Sequence, residues 1–222
     1  MLELTIYHAD EGLQSLQEEG ALWRLVSFSP KHTCFEHPDT FYRDYLGKVP
    51  NAKLAREFNS NMAFLLDYYE HGNAYWSMHG EGTQCRWDTA QRAGLLLANY
   101  SPREMQAMGF PKHKREESAR NYLSNYNDCV NGYVFAYTIQ EYRYCSKCSQ
   151  EEYTDHPTHS GAWYGSDLHN MYQDIRSALE LYRGQKINRF NSILTGVEIP
   201  EELKDLTDLE RDAKYVNHDF ND

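Results

Sequence analysis

Two cysteines separated by two residues, Cys145 and Cys148, are the clearest candidates for chemistry in this sequence. Their spacing lets both sulfurs of a tight turn face one ion, which is half of a tetrahedral zinc site. His156 and His159 follow in the same polar stretch, residues 144–161, and are the nearest further donors. The pattern therefore predicts a structural zinc site in a zinc-knuckle loop, with these four side chains as ligands.

Other interpretations of the cysteine pair stay open. The gap between the second cysteine and the first histidine is shorter than in standard zinc fingers, and Pro157 and several acidic residues constrain the same loop. The pair could instead be free thiols in a surface turn beside two solvated histidines, or a redox-active thiol pair. A closed zinc knuckle would stabilise a loop and would not catalyse a reaction.

A second group of reactive side chains lies within residues 70–88. Cys85 with His79 as its base would form a nucleophile pair, because a thiolate needs a proton acceptor or a cationic neighbour. Asp88 completes this candidate catalytic set. The cluster therefore makes an enzyme one of the functions to consider.

We prefer a structural interpretation of the same cluster, in which Arg86 pairs with Asp88 and a buried Trp87 packs the turn. Asp88 could also cap a helix. The sequence contains no Ser-His-Asp order, P-loop, H-E-x-x-H motif or dinucleotide-binding motif. Whether the protein is an enzyme is left uncertain, and the absence of an activity is favoured.

The charge of the chain is negative and unevenly distributed. The net charge at pH 7 is −11, and the segment 198–222 holds nine acidic and three basic side chains. Affinity for nucleic-acid phosphates comes from lysine and arginine. The composition therefore argues against direct binding of nucleic acid and favours a basic partner.

The periodicity of apolar residues predicts an α+β fold. Predicted strands cover residues 2–8, 21–29, 73–80 and 131–144, and predicted helices cover residues 9–20, 50–72, 114–130 and 166–184. Residues 85–98 are assigned to a helix or turn from Asp88, and an acidic helix at 200–214 is expected on the surface or free. Because no β-α-β rhythm appears, we expect a small mixed or antiparallel sheet packed by helices and not a doubly wound sheet. We expect one domain, residues 1–197. Residues 198–222 form an acidic C-terminal segment beyond it.

No stretch of the sequence has the character of a membrane span or an export signal. The chain has no run of eighteen apolar residues, and its first residues lack a basic region followed by a long apolar one. Five cysteines without an export signal favour reduced thiols or metal ligands over disulfides. We therefore expect a cytosolic protein with no membrane contact.

Several stretches together resemble a family of small accessory proteins from tailed phages and mobile elements. They are CRWDTAQRAGLL (85–96), ARNYLSNYNDCVNGYVFAYTIQEY (119–142), CSKC (145–148) and GAWYGSD (161–167). The resemblance covers about residues 65–180 and implies a phage or mobile-element gene expressed in the host cytoplasm. The family has no assigned activity, so the resemblance implies no catalytic role. In that family a cysteine often precedes the W-G-F-Y-G turn, whereas Ser160 and Gly161 stand there in this chain.

Composition and resemblance together predict a protein that binds other proteins. We expect a phage accessory protein that modulates or inhibits a host protein, as in host takeover or anti-defence. An acidic, tyrosine-rich surface suits a basic site that normally holds nucleic acid, so a nucleic-acid-binding or defence protein is the expected partner. The alternatives are a zinc-stapled structural or assembly protein, and an enzyme that uses the cluster at residues 70–88.

Overall fold

The computed structural model describes most of the chain, in two compact units. The described residues are 1–9, 16, 20–44, 50–145, 147–148, 150–153, 157–182, 185–194 and 198–208. The terminal unit comprises residues 1–12 and 132–222, and the central unit comprises residues 13–131. Helices and two sheets make up the described residues, which confirms the α+β class. The single domain over residues 1–197 stays a prediction.

The helices and strands are numbered here along the chain. The strands are β1 (Leu2–His8), β2 (Trp23–Ser27), β3 (Ala63–His71), β4 (Asn73–Met78), β5 (Thr89–Ala98), β6 (Val134–Cys145), β7 (Gln150–Tyr153), β8 (Thr158–His159), β9 (Trp163–Tyr164) and β10 (Ile187–Ser192). The α-helices are α1 (Pro38–Asp44), α2 (Pro50–Asn59), α3 (Pro102–Ala107), α4 (Lys112–Val130) and α5 (Leu168–Leu179). Within these described residues, no helix is long and apolar enough to cross a membrane.

The sheet of the central unit has the strand order β2-β5-β3-β4 and is buried on both faces. Leu96 packs on one face with Trp76. Leu95 and Leu97 pack on the opposite face with Phe41, because successive side chains of a strand point to opposite sides. Full burial of a leucine contributes roughly 1.5–3 kcal/mol, so this continuous apolar run stabilises the unit through both layers.

Helix α4 covers one face of the central sheet, as its apolar periodicity predicts. Ala119, Tyr122, Leu123 and Tyr126 are buried at three- and four-residue spacing. Helix α3 precedes it and begins with a capping box, in which the Ser101 hydroxyl and the Glu104 carboxylate each accept from the other residue's backbone N–H.

A buried arginine, Arg115, ties the loops around α4 together. Its guanidinium donates to the carbonyl oxygens of Phe110 (3.0 Å), Ser60 (2.8 Å) and Pro102 (2.9 Å). Its 4% exposure contrasts with the basic run Lys112–Arg115, which as a sequence is typical of a solvated helix start. The planar fork of arginine matches three fixed acceptors, so this residue serves structure.

Strands of the terminal unit form a second sheet around β6. The main order is β10-β1-β6-β7, with β8 and β9 also paired to β6, and β10 runs parallel to β1. The strand predicted at residues 131–144 is β6, and it lies inside its sheet. Helix α5 packs Met171, Tyr172, Ile175 and Leu179 on this sheet, which forms the core of the unit.

The first part of the acidic C-terminal segment belongs to the core of the terminal unit. Residues Glu201–Leu206 form a 3-10 helix in which Leu203 is fully buried. Arg176 of α5 binds both carboxylate oxygens of Asp205, at 2.7 and 2.9 Å. The acidic helix expected at 200–214 is therefore a 3-10 helix in this part, and Leu203 and Arg176 attach it to the unit, while residues 209–222 lie outside the described ones.

Two further predictions, which involve helices, are wrong over part of their length. The helix expected over residues 50–72 ends at Asn59, and β3 follows it; the helix or turn expected from Asp88 is replaced by β5. In both segments apolar residues point to two buried faces, which hides the alternation typical of a strand. The short helix expected at 9–20 falls mainly outside the described residues.

Candidate functional site

Asp67 is the centre of the most elaborate polar site in the described part of the central unit. Its carboxylate is 1% exposed and accepts four hydrogen bonds, two on each oxygen. Oδ1 accepts from His79 Nδ1 (2.8 Å) and the Arg92 backbone N–H (2.8 Å). Oδ2 accepts from the Gly80 backbone N–H (2.9 Å) and Gln84 Nε2 (3.2 Å).

Local backbone geometry brings these donors to Asp67. The pairing of β3 with β5 shifts register between Leu66 and Tyr68, and Arg92 has a positive φ of 55° at this irregularity. Gly80 has a φ of 83°, a conformation that glycine adopts without steric cost. The buried carboxylate therefore joins a bulged strand to the loop that follows β4.

The electrostatics of Asp67 reflect two opposing causes. Burial of the carboxylate raises its pKa, whereas hydrogen bonds from the backbone N–H groups of Gly80 and Arg92 and from His79 and Gln84 lower it. The pKa of Asp67 is lowered overall, because four donors favour the charged form more than burial opposes it.

The structure places the candidate nucleophile and the candidate base in different interactions. His79 Nδ1 binds Asp67, which leaves Nε2 as the nitrogen that can accept a proton. The Cys85 thiol donates to Asp88 Oδ2 at 3.3 Å, and Asp88 also lies 3.5 Å from His71 Nδ1. The structure thus brings Cys85 and Asp88 together, with His71 as the histidine beside them.

This arrangement holds the Cys85 loop in place. The Cys85 backbone N–H donates to Thr89 Oγ1 (2.9 Å), whose hydroxyl donates to the Thr83 carbonyl (2.8 Å). A catalytic thiolate is favoured by a histidine base or a cationic neighbour, whereas the partner of this thiol is a carboxylate, whose negative charge would repel a thiolate. The geometry therefore supports a structural role for the turn.

Trp87 is the main exception to that structural interpretation. Its side chain is 83% exposed, so the prediction that Trp87 is buried is wrong. The Arg86 guanidinium lies 5.2 Å from the centre of the indole ring, within the range of a cation–π contact. Residues 85–88 form a turn before β5, and this turn directs the indole away from the packed sheet.

A cavity of about 320 Å³ lies beside β2 in the central unit. Its lining combines the apolar side chains of Trp23, Leu25 and Tyr122 with Arg24 and Glu36, which form an ion pair. Ligand cavities usually measure ~300–1,000 Å³, so this one is at the small end of the range. The residues that line the cavity belong to no sequence motif that predicts a ligand.

The predicted zinc ligands Cys145 and Cys148 lie together in the terminal unit. Both side chains are exposed, and the Cys148 thiol donates to Oε1 of Gln150 (3.8 Å), the residue of β7 that pairs with Cys145. Hydrogen bonding from the Cys148 side chain, and then from the backbone N–H groups of Cys148 and Lys147, lowers the pKa of the Cys145 thiol. Two of the four predicted ligands are therefore adjacent.

His159 lies on a different strand, β8. It pairs with Thr138 of β6, and its Nδ1 is 3.2 Å from the Thr138 hydroxyl. Cys145 follows Thr138 by seven residues, which corresponds to roughly 23 Å along an extended strand. The structure therefore does not bring His159 to the sulfurs, and His156 lies outside the described residues.

Within the described ranges, no group of three or more His, Cys, Asp or Glu side chains is arranged to hold a metal ion. The cysteine pair supplies two of the four ligands that a structural zinc site requires. Zinc binding stays a prediction.

The negative charge of the protein is concentrated in one unit. The terminal unit contains nineteen acidic and nine basic residues, whereas the central unit contains fourteen and thirteen. The terminal unit therefore accounts for −10 of the net charge of −11. The excess of acidic over basic residues therefore extends beyond the C-terminal segment 198–222 that the sequence indicates.

Several basic side chains of the terminal unit are held by carboxylates of the same unit. Arg189 binds both oxygens of Glu151 at 2.6 and 2.8 Å, Arg176 binds Asp205, and Lys204 binds Glu201. Arg189 lowers the pKa of Glu151, as Arg176 does that of Asp205. These ion pairs neutralise the basic side chains that form them. The remaining carboxylates therefore make the surface charge of the terminal unit negative.

Comparison with known proteins gives no match to this chain. No family model and no curated protein matches the sequence, and no solved structure matches the fold. The resemblance to phage accessory proteins therefore stays a prediction.

Sequence reasoning missed the residue at the centre of the polar site. Asp67 interrupts the apolar run at residues 62–69, and a lone carboxylate among buried apolar residues is the signal that could have found it, because buried charges require partners. Its donors come from later positions in the chain, and the sequence does not show which residues approach it.

Proposed function

We propose that this chain is an accessory protein of a phage or mobile element that binds a protein of the bacterial host through its terminal unit. The observation that carries the proposal is the concentration of negative charge in that unit, −10 against −1 for the central unit. Opposite charge accelerates the encounter of two proteins and suppresses wrong partners. The expected partner therefore presents a basic surface, such as the nucleic-acid site of a host enzyme or defence protein.

Exposed tyrosines of the terminal unit support protein recognition. Tyr7, Tyr133, Tyr144 and Tyr153 are 37–49% exposed. Tyrosine is enriched in protein interfaces because its rigid ring buries a large area while its hydroxyl stays paired. A surface that combines tyrosines with carboxylates suits a basic protein better than a nucleic acid, whose phosphates it would repel.

The polar cluster of the central unit supports binding over catalysis. Asp67 is saturated by four donors, and the Cys85 thiol donates to Asp88 instead of meeting a histidine base. In this proposal the protein acts in the host cytoplasm by occupying and inhibiting its partner. An enzyme that uses the cluster at residues 70–88 is the alternative.

The test is affinity capture from a bacterial host lysate with three forms of the full-length protein as bait. They are the wild type, the variant Glu152→Gln/Glu180→Gln of the terminal unit, and the control Asp39→Asn/Glu117→Gln of the central unit. All four substituted side chains are exposed, and both variants lose two negative charges. Mass spectrometry identifies the retained proteins at 0.1 M and at 1 M salt.

We expect one basic host protein to be retained at low salt by the wild type and the control, and to be depleted with the terminal-unit variant and at high salt. Equal retention by both variants would contradict the role of the terminal unit. Turnover of a nucleotide, nucleic acid or peptide by the pure protein would favour the enzyme instead.

A further inference from the structure

We propose that the tip of the β6–β7 hairpin binds a thiophilic divalent cation, zinc in the cell, through the sulfur atoms of Cys145 and Cys148 and without His159. The site differs from the one that the sequence predicts, because His159 is excluded. It is also independent of partner binding.

The hairpin places both sulfurs at its exposed end. Cys145 is the last residue of β6 and pairs with Gln150, the first residue of β7, so Cys148 lies in the short connection between the strands. Both cysteines are exposed and reduced. A metal ion could therefore reach the two sulfurs without any opening of the core.

Contacts with Gln150 place the two sulfurs at the same end of the hairpin. Cys145 pairs with Gln150 across the two strands, and the Cys148 thiol donates to Gln150 Oε1 at 3.8 Å. The turn thus presents two cysteines beside one residue, as a chelating dithiolate requires.

Ligand chemistry selects the class of metal. Thiolates favour zinc and other thiophilic ions over magnesium or calcium, which prefer oxygen ligands. Zinc takes four ligands in structural sites, and the sulfurs supply two. The other two come from water or from a second copy of the chain.

His159 is not one of them. Its pairing with Thr138 places it roughly 23 Å from Cys145 along the extended strand β6, whereas a zinc–nitrogen bond measures about 2.1 Å. His159, the fourth ligand predicted from the sequence, therefore provides a control substitution for the metal-binding experiment.

The experiment measures metal bound to the full-length protein and to four variants. Protein purified without added metal is analysed for zinc, then stripped with a chelator and titrated with Co²⁺, whose thiolate absorption band reports sulfur ligands. Cys145→Ser and Cys148→Ser should each lower cobalt affinity at least 10-fold, because each removes one of the two sulfurs. His159→Ala and Cys129→Ser, a half-buried cysteine of α4, should leave it unchanged.

Stoichiometry identifies the source of the remaining ligands. One zinc per chain in a monomer means that water completes the site, whereas one zinc per two chains in a dimer means that a second copy does. Both results support binding by the cysteine pair.

Three results would overturn the proposal, and two of them need no variant. Folded wild-type protein that contains no zinc and develops no thiolate–cobalt band would show that the pair does not bind such an ion. A disulfide between Cys145 and Cys148 in freshly purified protein would assign the pair to redox chemistry. Equal loss of cobalt affinity in His159→Ala and Cys145→Ser would restore the ligand set that the sequence predicts.

Discussion

At the scale of single residues, Asp67 shows how one buried charge can organise a loop. Each carboxylate oxygen accepts one backbone N–H and one side-chain donor, so the charge is fully compensated inside the central unit. A buried charge without such partners costs several kcal/mol. The loop that carries His79 and Gly80 therefore takes its conformation from a residue in the preceding hairpin strand.

Asp67→Asn should lower the free energy of unfolding by ~2–3 kcal/mol. Either orientation of the amide places an NH₂ group against a backbone N–H, of Gly80 or of Arg92, and leaves buried donors unsatisfied. Urea unfolding at pH 7 measures the change. The control Asp39→Asn, at an exposed carboxylate, should change it by less than about 0.5 kcal/mol; equal effects would refute the role of Asp67.

The same substitution should change how stability depends on pH. Because the pKa of Asp67 is lowered in the folded protein, its charge contributes stability above the ordinary pKa of 3.8, and this contribution is lost as the pH falls through the lowered value. The difference in unfolding free energy between wild type and Asp67→Asn should therefore shrink below pH 3.8. A difference that stays constant down to pH 2 would contradict the assigned pKa direction.

At the scale of elements, helix α4 closes an edge of the central sheet with two asparagines. Asn127 accepts from the Trp76 N–H (2.8 Å) and donates to its carbonyl (2.9 Å), and Asn131 does the same to Ala74 (2.8 and 2.7 Å). Asn127 lies in the last turn of α4 and Asn131 is the residue that caps its C-terminal end, four positions later, and their partners are two residues apart on the strand. The side-chain amides therefore replace a neighbouring strand along β4, an edge that would otherwise be able to pair with another chain.

Asn127→Ala and Asn131→Ala should each lower the free energy of unfolding by ~1–2 kcal/mol, because each leaves a strand N–H without its partner. Amide hydrogen exchange should accelerate at Trp76 in the first variant and at Ala74 in the second. Asn121→Ala, at an exposed position of the same helix, is the control. Unchanged exchange at both strand positions would show that the helix does not protect this edge.

At the scale of the whole molecule, the two compact units differ in charge more than in secondary structure. Both contain a sheet and helices, yet nearly all of the net negative charge belongs to the terminal unit. The C-terminal segment contributes to this charge and also to the core, through the buried side chain of Leu203. Its deletion would therefore disturb packing as well as recognition, so substitutions test the charge more cleanly.

Glu152→Gln/Glu180→Gln should slow association with the captured partner by ~2- to 5-fold at 0.1 M salt, because it weakens long-range attraction. The effect should disappear at 1 M salt, where the Debye length falls from ~10 Å to ~3 Å. Stopped-flow mixing measures the rate constant, with Asp39→Asn/Glu117→Gln as the control. An unchanged rate for the terminal-unit variant at low salt would contradict electrostatic recognition.

Local sequence patterns were sufficient to predict the helices and strands in which buried and exposed side chains alternate regularly along the chain. The alternation in residues 2–8 predicts β1, and three- and four-residue spacing predicts α4 and α5, close to their observed bounds. Strands β3 and β5 escaped prediction because both of their faces are buried, and a continuous apolar run does not distinguish strand from helix. The α+β class follows from the first group alone.

The candidate sites divide in the same way. A two-residue gap is short enough for the sequence alone to bring Cys145 and Cys148 together. The distance of His159 from them was decided by its pairing with β6, and the donors to Asp67 lie 12 to 25 positions further along the chain. Contacts at such separations arise when strands pair and a loop folds back onto them, so only the tertiary structure could assign them.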